Sequence, residues 1–177
     1  MLHLYRFLLN IVLLISPLII ILRLLKNKES LTRFKEKFCF FSKKRNKGNL
    51  IWFHGSSVGE ILSIIPLVEK FENYKKINNI LVTSSTLSSS YVLSKFKFKK
   101  TIHQFFPLDT NYFSKKFLEY WKPSLAIFLE SEIWPNTLLN TKKTSIPLIL
   151  LNGRITKKTF DRWLMFSSIS NKIFKSF

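Results

Sequence analysis

Leu50-Ile51-Trp52-Phe53-His54-Gly55-Ser56-Ser57-Val58-Gly59-Glu60 is the stretch on which the reading of this chain turns. The apolar run Leu50 to Phe53 predicts a buried strand, and the small polar residues after it predict a tight loop. Glu60 falls where an amphipathic helix begins. Ile61, Ile64, Ile65, Val68 and Phe71 then recur on one helical face through Glu72, with Pro66 placed to bend the helix. Backbone N–H groups at a helix N-terminus are unpaired and point outward, so a Gly/Ser turn there admits a polar ligand closely. A carboxylate in that first turn is favoured by the helix dipole. Glu60 is therefore a candidate general base facing a cleft. The same residue also reads as an ordinary first-turn glutamate that stabilises its own helix.

Outward from this unit, short apolar runs alternate with helical patterns. Strands are expected at Asn79–Thr83, Ile102–Phe106, Ser124–Leu129 and Pro147–Leu151. Helices are expected at Ser89–Phe96, Tyr112–Trp121, Ile133–Asn140 and from Thr159 onward. Such alternation with short links predicts an α/β fold, a Rossmann-like parallel sheet with helices on both faces. Ligands of these sheets bind outside the carboxyl ends of the strands. Polar residues gather there: His54, Ser56, Ser57, Gly59 and Glu60 after the first strand, and Thr83 to Thr86 after the second. Asp109 follows the third, Glu130 and Glu132 the fourth, and Asn152 and Arg154 the fifth. Any one group suits a turn or cap, whereas five on one rim outline a cleft.

The chain of 177 residues carries 29 Lys+Arg against 10 Asp+Glu, a net charge of +19. Such a charge draws it to anionic surfaces. The lysines are scattered, and no zinc-ligand spacing or RNA-recognition signature is present, so nucleic acid is not the expected partner. Anionic membrane lipid is. The single cysteine, Cys39, excludes an internal disulfide framework.

Phe7 to Leu22 is free of charge and rises roughly 24 Å as a helix; with Arg23 reaching toward head groups it suffices for a membrane span. Arg6 precedes it, while Arg23, Lys26, Lys28, Arg33, Lys35 and Lys37 lead a basic run after it. The positive-inside rule puts everything beyond the span in the cytoplasm. The expected organisation is a membrane-anchor helix over 1–26, a basic juxtamembrane segment over 27–48 that lies against lipid head groups, and the Rossmann-like domain over 49–177.

Glu130-Ser131-Glu132-Ile133-Trp134-Pro135-Asn136 is the second unusual string. Paired carboxylates divide into a base and a hydrogen-bonding partner when their surroundings differ. Without a nearby histidine in sequence they make a weak metal signature. The structural alternative has one of them capping the Trp134 helix and the other pairing with Arg154.

Trp-Phe-His-x-x-Ser-Val-Gly-Glu at 52–60, Pro-Leu-Asp at 107–109, Glu-x-Glu-x-Trp-Pro-Asn at 130–136 and Leu-x-Asn-x-Arg at 150–154 together resemble the 3-deoxy-D-manno-octulosonic acid (Kdo) transferases. The resemblance runs the length of the chain, hydrophobic segment included. It implies the N-terminal, acceptor-binding half of a GT-B fold on the cytoplasmic face of the inner membrane. It further implies an inverting transfer of Kdo from CMP-Kdo to the lipid A precursor (lipid IVA), with no cofactor and no metal in the chemical step. Glu60 would be the general base, and Glu130 and Glu132 would lie in the acceptor-side cleft. The family's donor domain is not matched within these residues, so the chain is expected to be inactive without a second half, or else to be a non-catalytic remnant or a membrane-bound lipid A-binding module. Family members usually carry a glycine in the turn that here reads Thr86-Leu87-Ser88-Ser89-Ser90.

Overall fold

The computed structural model describes residues 2–177, so Met1 of the expected anchor lies outside the described residues. Five strands, β1 (Leu50–His54), β2 (Asn79–Ser84), β3 (Thr101–Phe105), β4 (Leu125–Leu129) and β5 (Leu148–Leu151), pair in parallel in the order β3-β2-β1-β4-β5. This is the expected α/β sheet. The chain begins at the centre, builds outward to β3, and crosses back to lay β4 on the other side of β1. The order therefore reverses between β1 and β4, where open α/β sheets bind ligands.

Alternate residues of each strand face opposite layers. Leu50, Trp52, Leu81 and Phe128 pack with Phe117 and Trp121 of α4 (Asn111–Trp121) and with Leu138 of α5 (Pro135–Lys143). Ile51, Phe53, Ile80, Val82 and Ile127 pack on the other face with Ile61, Ile64 and Val68 of α2 (Val58–Glu72), and with Leu93 of α3 (Leu87–Ser94). Each such fully buried side chain contributes about 1.5–3 kcal/mol, which is why the central strands read as unbroken apolar runs. Two short helices, α6 (Lys157–Met165) and α7 (Ser167–Phe174), close the chain. The turn into α3 contains no residue with positive φ; Thr86 is extended and caps the helix by accepting from Ser89 N–H. A glycine is not required there.

Residues 27–48, expected as a basic juxtamembrane segment, are partly folded onto the domain. A 3-10 helix at Phe34–Phe38 packs against β3, and Phe41 stacks on Tyr120 at 3.8 Å. Glu36 is 1% exposed. Its carboxylate takes a two-pronged pair from Arg33 at 2.8 and 3.0 Å, and the N–H of Phe105 donates to it at 2.9 Å. Ser42 Oγ donates to it as well. Arg33 also donates to the carbonyl of His103 at 2.9 Å. The outer edge of β3 is thereby closed by side chains, one of the ways a sheet avoids unwanted pairing.

His103 lies in the same network. Its Nδ1 accepts from Arg33 at 2.9 Å, since a guanidinium has only donors, and its Nε2–H donates to Ser84 Oγ at 2.8 Å. Burial first, and the Arg33 charge second, push its pKa down to about 3 from an ordinary 6.5. The folded value lies below the unfolded one, so the unfolded chain takes up the proton first as pH falls. Stability is then full above about pH 6.5 and declines toward pH 3, by at most about 1.4 kcal/mol per pH unit. Urea unfolding at pH 7 and pH 5 should show the loss, and His103→Gln should flatten it.

The N-terminal helix α1 (Leu2–Leu25) is long and apolar enough to cross a membrane and is a candidate anchor. It lies along the carboxyl-end rim of the sheet. Tyr5 OH donates to Asp109 Oδ2 at 2.8 Å and Arg6 Nε to Asn136 Oδ1 at 2.8 Å. At the other end Arg23 Nε donates to Glu29 Oε2 at 3.0 Å.

Candidate active site

Ser57 caps α2: its Oγ accepts from Glu60 N–H at 3.2 Å and donates back to Glu60 Oε1 at 2.6 Å. The other oxygen, Oε2, accepts from Ser56 N–H at 2.9 Å. This is a variant of the capping box in which the glutamate accepts from the residue before the cap, Ser56, so the helix-stabilising reading of Glu60 describes part of what it does. It also fixes the carboxylate at the loop, half-buried beside the β1 end, with further lone pairs on each oxygen.

Ser56 joins this carboxylate to a second one. Its Oγ donates to Glu132 Oε2 at 2.5 Å, while its N–H holds Glu60. The same Glu132 oxygen accepts from His54 Nε2–H at 3.1 Å and from Trp134 Nε1–H at 2.8 Å. Burial pushes the Glu132 carboxyl up, but the His54 contact and the Ser56 and Trp134 donors outweigh it and hold it below the usual carboxylate range. Behind it, His54 Nδ1 and Trp52 Nε1 both reach Thr83 Oγ1 at 2.9 Å. The hydroxyl proton of Thr83 is contested between His54 and the carbonyl of Phe53 at 3.2 Å. A continuous chain of polar contacts thus runs from the buried Trp52 to the two glutamates at the β1/β4 switch.

What brings Glu132 there is a backbone feature. Glu130 adopts φ 49°, in the left-handed region, at a cost of about 1 kcal/mol for a residue with a Cβ. Its N–H still donates to Leu151 O at 2.9 Å, and the reversal lets Glu132 N–H return to Leu129 O at 3.0 Å. Glu130 itself turns to the β5 side, where it borders a cavity of about 380 Å³ with Gly153, Arg154 and Trp163. Among the described residues no ion pair joins Glu130 to Arg154. Asn152, also left-handed at φ 54°, and Arg154 are exposed nearby.

The five rim groups expected from sequence are on one rim, but they divide. His54, Ser56, Thr83 and Glu132 meet directly, with Ser57, Gly59 and Glu60 adjoining. Glu130, Asn152 and Arg154 form a second patch. Asp109 turns inward: it is 2% exposed and accepts from Asn136 N–H at 3.0 Å, Thr137 N–H at 2.7 Å and Thr137 Oγ at 2.6 Å. Asp109 is thus the cap of α5, supplied from another loop, and burial pushes its carboxyl up against the pull of those donors. Neither glutamate caps the Trp134 helix. Trp134 joins the cluster without having been expected, while Ser85 of the Thr83–Thr86 group contacts Ser56 Oγ at 3.1 Å. An indole N–H two residues from a glutamate was the available signal for Trp134. Contrary to the sequence spacing, a histidine does stand beside one glutamate.

The two glycines of the loop make opposite demands. A Cβ on Gly55 would stand 2.7 Å from Leu129 Cδ1 and 3.0 Å from Glu60 Cβ, whereas one on Gly59 meets nothing closer than Ser57 Oγ at 4.0 Å. Gly55→Ala should therefore cost about 1–3 kcal/mol by overpacking. Gly59→Ala should gain about 0.5–1 kcal/mol by restricting the unfolded chain. Urea midpoints moving in opposite directions would confirm the contrast.

Comparison with known proteins adds identity to this geometry. Residues 32–177 match the family described as 3-deoxy-D-manno-octulosonic-acid transferase (kdotransferase). The chain is 39% identical over 177 residues, all of its length, to the 3-deoxy-D-manno-octulosonic acid transferase of Rickettsia bellii, of which it covers 42%. It is 40% identical over 84% of its length to a probable mitochondrial transferase of that name from Arabidopsis thaliana, covering 34% of that protein. A Haemophilus influenzae transferase is 28% identical over 64% of the chain and is covered to 26%. The chain spans less than half the length of these relatives. With the β1 loop, the two glutamates and the α/β sheet in place, the chain belongs to the Kdo transferase family of glycosyltransferases.

Proposed function

We propose that this chain supplies the acceptor-side half of a Kdo transferase, moving Kdo from CMP-Kdo to the lipid A precursor (lipid IVA) at the cytoplasmic face of the inner membrane. The observation that carries the reading is the Ser56 bridge, which holds the carboxylates of Glu60 and Glu132 side by side at the β1/β4 switch. An inverting sugar transfer needs a base on the acceptor hydroxyl as it attacks an oxocarbenium-like carbon. Glu60 takes that proton. Its two hydrogen bonds from the α2 turn fix the carboxylate before substrate arrives. Glu132, already saturated on one oxygen by three donors, is the positioning partner that keeps Ser56 and His54 in place. The basic surface of the chain suits an acceptor that carries phosphates. Glu130, Asn152 and Arg154 on the second patch, with Gly59 and Ser57 at the mouth, are the further acceptor contacts.

The assay joins the 177 residues to the C-terminal portion of the Rickettsia bellii relative, which supplies the donor side, and follows radiolabelled Kdo onto lipid IVA. Transfer by the joined protein is the expected result. A folded, membrane-associated chimera that transfers no Kdo would overturn the proposal.

A further inference from the structure

We propose that α1 does not cross the bilayer but lies within one leaflet, holding the carboxyl-end rim of the sheet flat against the membrane surface. This rests on the placement of α1 and is independent of the transferase chemistry.

The two ends of the helix decide it. Tyr5 and Arg6 bond to Asp109 and Asn136 of the domain, and Arg23 bonds to Glu29, which Lys37 also reaches at 2.5 Å. Lys37 in turn donates to the carbonyl of Ser85 on the same rim at 3.4 Å. Tyr5 and Arg23 lie about 27 Å apart along a helix rising 1.5 Å per residue, close to the whole ~30 Å hydrocarbon thickness. A spanning helix would put these ends on opposite sides of the membrane. Here both are tied to one polar domain, and spanning would either break those bonds or draw Asp109, Glu29 and Lys37 into hydrocarbon.

The faces of the helix agree with the ends. Tyr5, Leu9, Leu13, Ser16, Ile20 and Arg23 recur at spacings of three and four and form the side turned to the domain, half-buried or buried. The opposite side carries Phe7, Ile11, Leu14, Leu18, Leu22 and Leu25, with Leu14 82% exposed and no charge among them. An unbroken apolar face of this length beside exposed Lys26 and Lys28, on a chain of net charge +19, matches an anionic lipid leaflet: acyl chains take the face and head groups the lysines.

Two measurements on the full chain test this. Cys39 is buried and its Sγ donates to Phe113 O at 3.2 Å, so Cys39→Ser gives a cysteine-free background. His3→Cys or Lys28→Cys, both at exposed positions, is then added, and a membrane-impermeant maleimide is applied to inverted inner-membrane vesicles and to spheroplasts of the expressing bacterium. Both cysteines should label from the same face. Labelling from opposite faces would overturn the inference, as would recovery of the chain in the soluble fraction. A nitroxide on Leu14→Cys supplies the second reading. It should lie about 5–10 Å below the head-group boundary, and a depth at the bilayer centre, about 15 Å, would overturn the inference even if labelling failed.

Discussion

Glu60→Gln should lower Kdo transfer by the joined protein about 10²–10⁴-fold, the usual contribution of a positioned general base, while leaving acceptor KM nearly unchanged. The amide keeps the size of the side chain and can still accept from Ser56 N–H, as the carboxylate does now at 2.9 Å, so the loop holds its shape. What disappears is the capacity to take a proton. Stability should fall by no more than about 1 kcal/mol, the worth of a first-turn charge and its cap contacts. A large kcat loss with a small urea shift is the signature of a base. An equal loss in both would mean the residue only builds the turn, and undiminished transfer would move the base elsewhere. Glu132→Gln should differ: it turns an acceptor that now satisfies His54, Ser56 and Trp134 into a group with donors, so transfer and stability should decline together.

Glu36→Ala should be the most destabilising single change outside the sheet interior, by about 3–5 kcal/mol, the range for breaking a buried ion pair from one side. Removal of this carboxylate strands the Arg33 guanidinium and leaves the N–H of Phe105 without an acceptor. Glu36→Gln keeps one acceptor for Phe105 and should cost less. Arg33→Ala alone should cost less than Glu36→Ala, because Arg33 is partly exposed. The double variant should fall short of the sum, since the two residues share one interaction. Urea unfolding in mild detergent measures all four, and a Glu36→Ala midpoint equal to wild type would show the pair contributes nothing.

The sheet was legible because its signal is local. Each strand is a short apolar run between turn residues, and buried parallel strands need no partner information to be seen. Helix boundaries moved by a few residues for local reasons too: α2 begins at Val58 rather than Glu60 because Ser57, not the glutamate, is the cap. What was not legible depends on pairs distant in sequence. Residues 27–48 read as a basic juxtamembrane segment because lysines outnumber acids, and nothing nearby shows that Glu36 meets Phe105 or that Arg33 meets His103. The Tyr5–Asp109 contact joins residues more than a hundred positions apart, so Asp109 read as an open rim group and its contact with α1 was not visible. The Glu-x-Glu string is unusual in sequence, but the left-handed Glu130 that sends its two carboxylates in different directions is a backbone property no spacing reveals.

The sealed flank of β3 has one more consequence. With the N–H of Phe105 and the carbonyl of His103 already engaged, that flank is a poorer template for an incoming strand. β5 pairs with β4 alone among the described strands, and Ile149 and Leu151 remain exposed on it. Enlargement of the sheet is therefore vectorial: a sixth ribbon, whichever polypeptide provides it, is recruited more readily alongside Leu148–Leu151.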